Sequence, residues 1–170
     1  MTNTPDPTRD RPSMPPGYGI PADPSPEMLA WSETRAKIAR SRNYWIVTAG
    51  AGGRPHAAPV WGLWLDGAFM FSTDLASRKA RNFQANPEIV VHLESGDDVV
   101  ILEGAIEQVT DRAILERFVD DYDRKYQFRP DLDEPSGAYF RLRLRTAMAW
   151  LEPDFPKTAT RWRFEPTSPP

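Results

Sequence analysis

Asp66-Gly67 stands between two runs of β-prone residues, and this pair is among the strongest short-range signals for a tight antiparallel hairpin. One run covers residues 55–65, with prolines near its beginning and at Pro59, which suits an edge strand or a bulge. The other, residues 68–73, returns from the turn. Residues 43–49 (NYWIVTA) form a further strand leading into a turn at 50–53, and strands 88–94 and 99–109 are joined by Ser95-Gly96-Asp97-Asp98. Residues 138–151 alternate as a strand, and 160–164 suit a last short one. The helical stretches are peripheral. Ser25 as N-cap and Pro26 as first helical residue start one that runs to about Arg40. Residues 77–85 form a short helix ending before Asn86-Pro87, and 111–126 carry Leu115, Phe118, Val119 and Tyr122 at helical spacing. The expected fold is mainly β within the α+β class: an antiparallel barrel or sandwich with peripheral helices.

A chain of 170 residues, 40% hydrophobic and 26% charged, suits one globular domain with a core of ordinary size. Eight of the 18 prolines fall in the first 26 residues, mixed with Asp, Thr, Ser and Gly. Such a stretch buries too little apolar surface to offset its ordering entropy. Residues 1–24 are therefore expected to be a disordered tail, 25–165 the folded domain and 166–170 a second loose end. The net charge of −3, with bases interspersed among acids, argues against nucleic acid as a partner. No apolar run approaches a membrane span and no signal peptide is readable, so the cytoplasm is the default compartment and no membrane partner is expected. Without cysteine there is no disulfide, thiolate metal site or thiol nucleophile.

Arg78 and Lys79 break a local rule. They fall in the first turn of the helix that follows strand 68–73, where two cations oppose the positive end of the helix dipole. An anion resolves the conflict: a phosphate there collects backbone N–H groups, the guanidinium and the ammonium. Ser72, Thr73 and Ser77 add hydroxyl groups beside the same spot. On residues alone, a solvated helix face accounts for Arg78, Lys79 and Arg81 equally well.

The stretch Phe71-Ser72-Thr73-Asp74-Leu75-Ala76-Ser77-Arg78-Lys79-Ala80, followed by Asn86-Pro87 and a strand, resembles the phosphate-binding segment of the pyridoxamine 5'-phosphate oxidase-like family, the FMN-binding split β-barrel proteins. The resemblance covers roughly residues 30–110, with weaker support to Phe164. It implies an antiparallel split β-barrel acting as a homodimer, with FMN as cofactor and the 8-hydroxy-5-deazaflavin coenzyme as the alternative. It further implies that Arg78 and Lys79 hold the cofactor phosphate, with Ser72, Thr73 and Ser77 nearby. Val60 and Trp61 then run along the flavin ring through backbone groups; core or interface packing explains Trp61 and Trp64 as well. The oxidase proper has a Gln where Val99 stands, and its basic and aromatic residues for pyridoxal phosphate have no counterpart in the C-terminal part of this chain. The implied activity is that of the flavin/deazaflavin oxidoreductase branch: hydride transfer between a reduced cofactor and a small organic substrate. In such chemistry the cofactor carries the difficult step, which accounts for the lack of any catalytic acid, base or nucleophile that stands out. The same scaffold also hosts non-catalytic flavin-binding or haem-handling proteins, and a barrel that has lost its cofactor is a third reading.

His56 and His92 are the only histidines, and their spacing suggests no metal site. Glu94, Asp97 and Asp98 read as a solvated turn, and Asp120, Asp121 and Asp123 as the wet face of a helix. Arg161 and Arg163 alternate with Trp162 and Phe164, so in a strand the aromatics face the core while the arginines reach a cofactor or an acidic partner.

Overall fold

The structure, a computed structural model, describes residues 7–165. Nine strands form one antiparallel sheet: β1 (Thr8–Asp10), β2 (Tyr44–Ala49), β3 (Pro55–Val60), β4 (Leu63–Leu65), β5 (Ala68–Asp74), β6 (Glu88–His92), β7 (Asp98–Gln108), β8 (Gly137–Leu151) and β9 (Thr160–Arg163). The helices are α1 (Trp31–Arg40), α2 (Arg78–Ala85), α3 (Arg112–Tyr126) and the single turn α4 (Phe155–Thr158). Pairing runs β1-β9-β8-β7-β6-β2-β3, while β5 joins β4 to the first half of β8. This is a split β-barrel of the α+β class.

The Asp66-Gly67 hairpin forms as expected, with φ of 51° and 81° at the two central residues, the conformation that suits the right-handed twist of the flanking strands. The expected single strand over 55–65 is two. β3 pairs with β2 and β4 pairs with β5, so the chain turns a corner at Trp61-Gly62. Only glycine fits at 62, because a Cβ there would lie 2.5 Å from the Phe69 ring and 2.8 Å from Met70 O.

Inward positions of β2, β5, β6, β7 and β8 fill the barrel with Tyr44, Ile46, Phe69, Phe71, Val91, Val100, Leu102, Phe140, Leu142, Ala147 and Ala149. β8 keeps its alternation only with one slip. Phe140, Leu142 and Leu144 face inward before Arg145, and Ala147 and Ala149 after it, because the ladder to β7 is bulged at Glu103/Gly104. α3, capped by Asp111 Oδ1 on the N–H groups of Ala113 and Ile114, packs Leu115, Phe118, Val119, Tyr122 and Tyr126 with Leu63, Met70 and Tyr139.

Two expectations at the N-terminal side are corrected. The Pro-rich stretch is not a loose tail over the described residues: Thr8–Asp10 pairs with β9, and Arg11, only 8% exposed, donates to the carbonyls of Pro156, Lys157 and Ala159. Composition misled because the segment borrows an existing edge and a cluster of carbonyls instead of building a core. Nor does a helix begin at Ser25-Pro26. Ser25 closes one turn onto Met28 N–H and its hydroxyl accepts from Arg11 Nη2 at 2.6 Å, after which Leu29 N–H is held by Thr160 Oγ1. α1 starts at Trp31 with Ala30 in the cap position. The loose ends expected for 1–6 and 166–170 lie outside the described residues.

Candidate functional site

β3 bonds to β2 on one side only, so its other edge is unpaired among the described residues. It diverges from β5 beyond the corner at Trp61-Gly62, leaving a cleft of about 350 Å³ lined by Asn43, Pro59, Val60, Trp61, Ser72 and Tyr122. Three of the residues singled out from the sequence, Val60, Trp61 and Ser72, therefore meet there. Asn43, Pro59 and Tyr122 join them without having been expected.

The remaining candidates gather where α2 begins. Ser77 is the N-cap: its Oγ accepts from Ala80 N–H at 3.2 Å and lies 3.2 Å from Thr73 Oγ1. Arg78 and Lys79 occupy the first two helical positions, and no acid falls in that turn. Arg78 is exposed and reaches the Pro55 carbonyl at 3.5 Å. Lys79 is half-buried; burial lowers its pKa, against the pull of Asp74. His56 sits on β3 next to both cations. Burial, then Arg78 and Lys79, hold its imidazole below the usual histidine range. α2 is fixed from below by Phe83 against Phe71 and Phe140, and by Asn82, whose Nδ2 donates to Thr48 Oγ1 on β2 at 2.8 Å.

The two ends are linked by β3 itself. Pro55 lies beside Arg78 and Val60 lines the cleft, five residues apart, which at strand rise is roughly 16 Å. Backbone direction refines the expectation for the ring-side pair. Pro55 O points away from β2, towards Arg78, while His56 O faces Thr48. Successive residues of a strand alternate, so Pro55, Ala57, Pro59 and Trp61 turn their backbone to the free edge and Val60 turns its own to Tyr44. Val60 lines the cleft with its side chain; Trp61 is the one of the pair whose backbone is unengaged by β2.

A family model for pyridoxamine 5'-phosphate oxidase matches residues 30–151, well over half of the chain. The chain belongs to that family. Solved structures agree on the fold. A conserved hypothetical protein from Mycobacterium tuberculosis has a TM-score of 0.65 at 24% identity, over 76% of this chain and 90% of its own. An F420 reductase has a TM-score of 0.54 at 19% identity, over 65% of this chain and 93% of its own. A heme binding protein from Mycobacterium smegmatis has a TM-score of 0.57 at 17% identity, over 72% of this chain and 55% of its own. No curated protein matches the sequence.

Other candidate residues fall outside the cleft. Val99 pairs with Trp150 on the outward face of the sheet and is not among the lining residues. Arg161 and Arg163 do meet an acidic partner, but it is Asp10 of β1: Arg161 binds it through two bonds of 2.8 and 2.9 Å, and Arg163 adds one of 3.0 Å. Trp162, on the opposite face, is buried in the barrel. Among the described residues no three His, Asp or Glu side chains converge on a metal site, and no helix is long and apolar enough to cross a membrane.

Proposed function

We propose that this chain is a flavin- or deazaflavin-dependent oxidoreductase that carries its cofactor in the split between β3 and β5. Arg78 and Lys79 would bind the cofactor phosphate, helped by the hydroxyl groups of Thr73 and Ser77. The ring would lie along Trp61 and the Val60 side chain, with Ser72 and Tyr122 on the facing wall. The observation that carries the reading is the span of β3: two cations in a helical first turn without an acid at one end and a partly aromatic cleft at the other, joined by a strand edge unpaired among the described residues. When bound, the cofactor would exchange hydride with a small organic substrate; the protein's part is to orient the two and exclude water. FMN is the first expectation. The fold shared with an F420 reductase supports the deazaflavin alternative, whose phosphate suits the same two cations.

The homodimer belongs to the same reading. Several outward positions of the sheet, where a solvated face would be polar, are apolar across neighbouring strands: Pro59 beside Trp45, Val47 between Ala57 and Val90, Ile101 beside Met148, and Val99 beside Trp150. Pro59 belongs both to this face and to the cleft, so a second copy seated here borders the site.

Titrating the purified chain with FMN, with the deazaflavin coenzyme and with haem tests the proposal. One of the first two should bind at micromolar concentration. Exchange of both cations (Arg78→Ala with Lys79→Ala) should weaken that binding about a hundredfold, as expected for loss of two charge-assisted contacts, with an unchanged melting temperature for the apo-protein. Unaltered affinity would sink the phosphate assignment, and binding of haem alone would replace the redox reading.

A further inference from the structure

The corner at Trp61-Gly62 carries a second pair of cations, and their neighbours are aromatic rings instead of acids. The guanidinium carbon of Arg42 lies 5.3 Å from the Trp61 ring centroid and 5.6 Å from that of Tyr126. Lys125 Nζ lies 5.0 Å from the Tyr44 centroid and 5.2 Å from Tyr126. Among the described residues no carboxylate pairs with either cation. Glu94, nearby in the fold, is engaged by Asn43 Nδ2 at 3.4 Å.

The two cations differ in what they have to spare. Lys125 donates to Ala39 O, Tyr44 Oη and Gly62 O, which occupies all three of its hydrogens. The Arg42 side chain is exposed and, among the described residues, donates to no protein acceptor. Its backbone is nonetheless fixed, since its carbonyl accepts from Tyr126 Oη at 2.7 Å. Beside it, Trp61 stacks one face on Tyr126, at 4.7 Å and 7° between planes. The indole remains 37% exposed and forms a wall of the cleft.

We propose that Arg42 and Trp61 form the substrate end of the cleft, and that the substrate is a flat, conjugated carboxylic acid. This rests on the cofactor reading above for the word substrate, but on its own observations for the subsite. A guanidinium presents a planar fork that matches a carboxylate with two parallel bonds, and a stacked indole offers a flat apolar wall to a ring attached to it. An anion also relieves the repulsion between Arg42 and Lys125, which contributes to the lowered pKa of the lysine. The site is distinct from the phosphate end: Arg78 touches Pro55, at the far end of β3 from Trp61.

Calorimetric titration of the full chain with naphthoate and with its neutral counterpart naphthamide tests the subsite, first without cofactor and then with FMN. Naphthoate should bind at least tenfold tighter than the amide. Arg42→Gln should bring naphthoate down to the affinity of the amide, leaving the amide unchanged and the fold intact, since the bond from Tyr126 goes to the backbone and only the contacts of the guanidinium with the two rings are lost. Arg42→Lys should recover part of the difference. Equal affinity for acid and amide, or naphthoate binding indifferent to Arg42→Gln, overturns the subsite whatever the cofactor does. Failure of FMN and deazaflavin to bind, with Arg42-dependent naphthoate binding intact, instead overturns the cofactor reading and leaves an anion subsite standing.

Discussion

At the scale of single residues, Lys125 makes the sharpest demand on solution behaviour. Burial, with Arg42 beside it, pulls its pKa down to about 8 from an ordinary value of 10.5. Between those two values the unfolded chain holds a proton that the folded one has released, so stability should rise with pH across that window. Above about pH 10 the trend reverses, because burial holds the hydroxyls of Tyr44 and Tyr122 protonated, the latter pushed up to about 12, while the unfolded tyrosines ionise. Thermal melts from pH 7 to 11 should show this maximum; Lys125→Met should abolish the rise and keep the fall. A rise that survives the substitution would place its origin elsewhere. Residue chemistry was unevenly legible in the sequence. Arg78 and Lys79 stood out because they violate a dipole rule within one helical turn. Tyr122 did not, since a tyrosine on the apolar stripe of a helix looks like core until Ser72, fifty residues earlier, is placed opposite. Arg42 looked like any surface arginine, because its aromatic neighbours come from a strand corner and the end of α3.

Among the elements, the bulge between β7 and β8 is the most exposed to a small change. A Cβ on Gly104 would lie 2.0 Å from Arg143 O and 2.9 Å from its carbonyl carbon, both backbone atoms that cannot swing aside. Gly104→Ala should therefore cost about 2–3 kcal/mol in a chemical denaturation experiment, and a loss under about 0.5 kcal/mol would show that the ladder relaxes there. The bulge also explains why period-two reading located β8 but not its phase: one inserted residue, Arg145, shifts every later side chain to the other face. Hairpins and short helices were legible because their signals are local, as with Asp66-Gly67 and the Ser77 cap. β1 was not, because its stability comes from Asp10 meeting Arg161 and Arg163 at the far end of the chain. The corner at Trp61-Gly62 was hidden for a related reason. Its cause is the Phe69 ring pressed on Gly62, a contact that no run of β-prone residues announces.

For the molecule as a whole, the proposed homodimer makes its demand on the apolar outward face. Val47 and Val90 are directly opposed across β2 and β6 near its middle. A carboxylate placed there would be buried unpaired by a second copy, yet would remain solvated in the monomer. Val47→Glu should thus raise the dimer dissociation constant about a hundredfold in sedimentation measurements, with little change in monomer stability; an unchanged association would move the interface elsewhere. Fold class was within reach of the sequence, since alternation and turn residues specify it; the residues left barrel and sandwich open, and the split barrel came with the family resemblance, whereas the meeting of strand edge, helix start and cleft is a product of closure. One consequence of that closure concerns what the barrel refuses. An unpaired strand edge is a template for joining another chain edge to edge. On β3 two of the backbone positions that face outward, Pro55 and Pro59, have no N–H to offer. A strand approaching this edge meets acceptors with few donors between them and cannot zip, so a seam wide enough to admit a ligand resists aggregation.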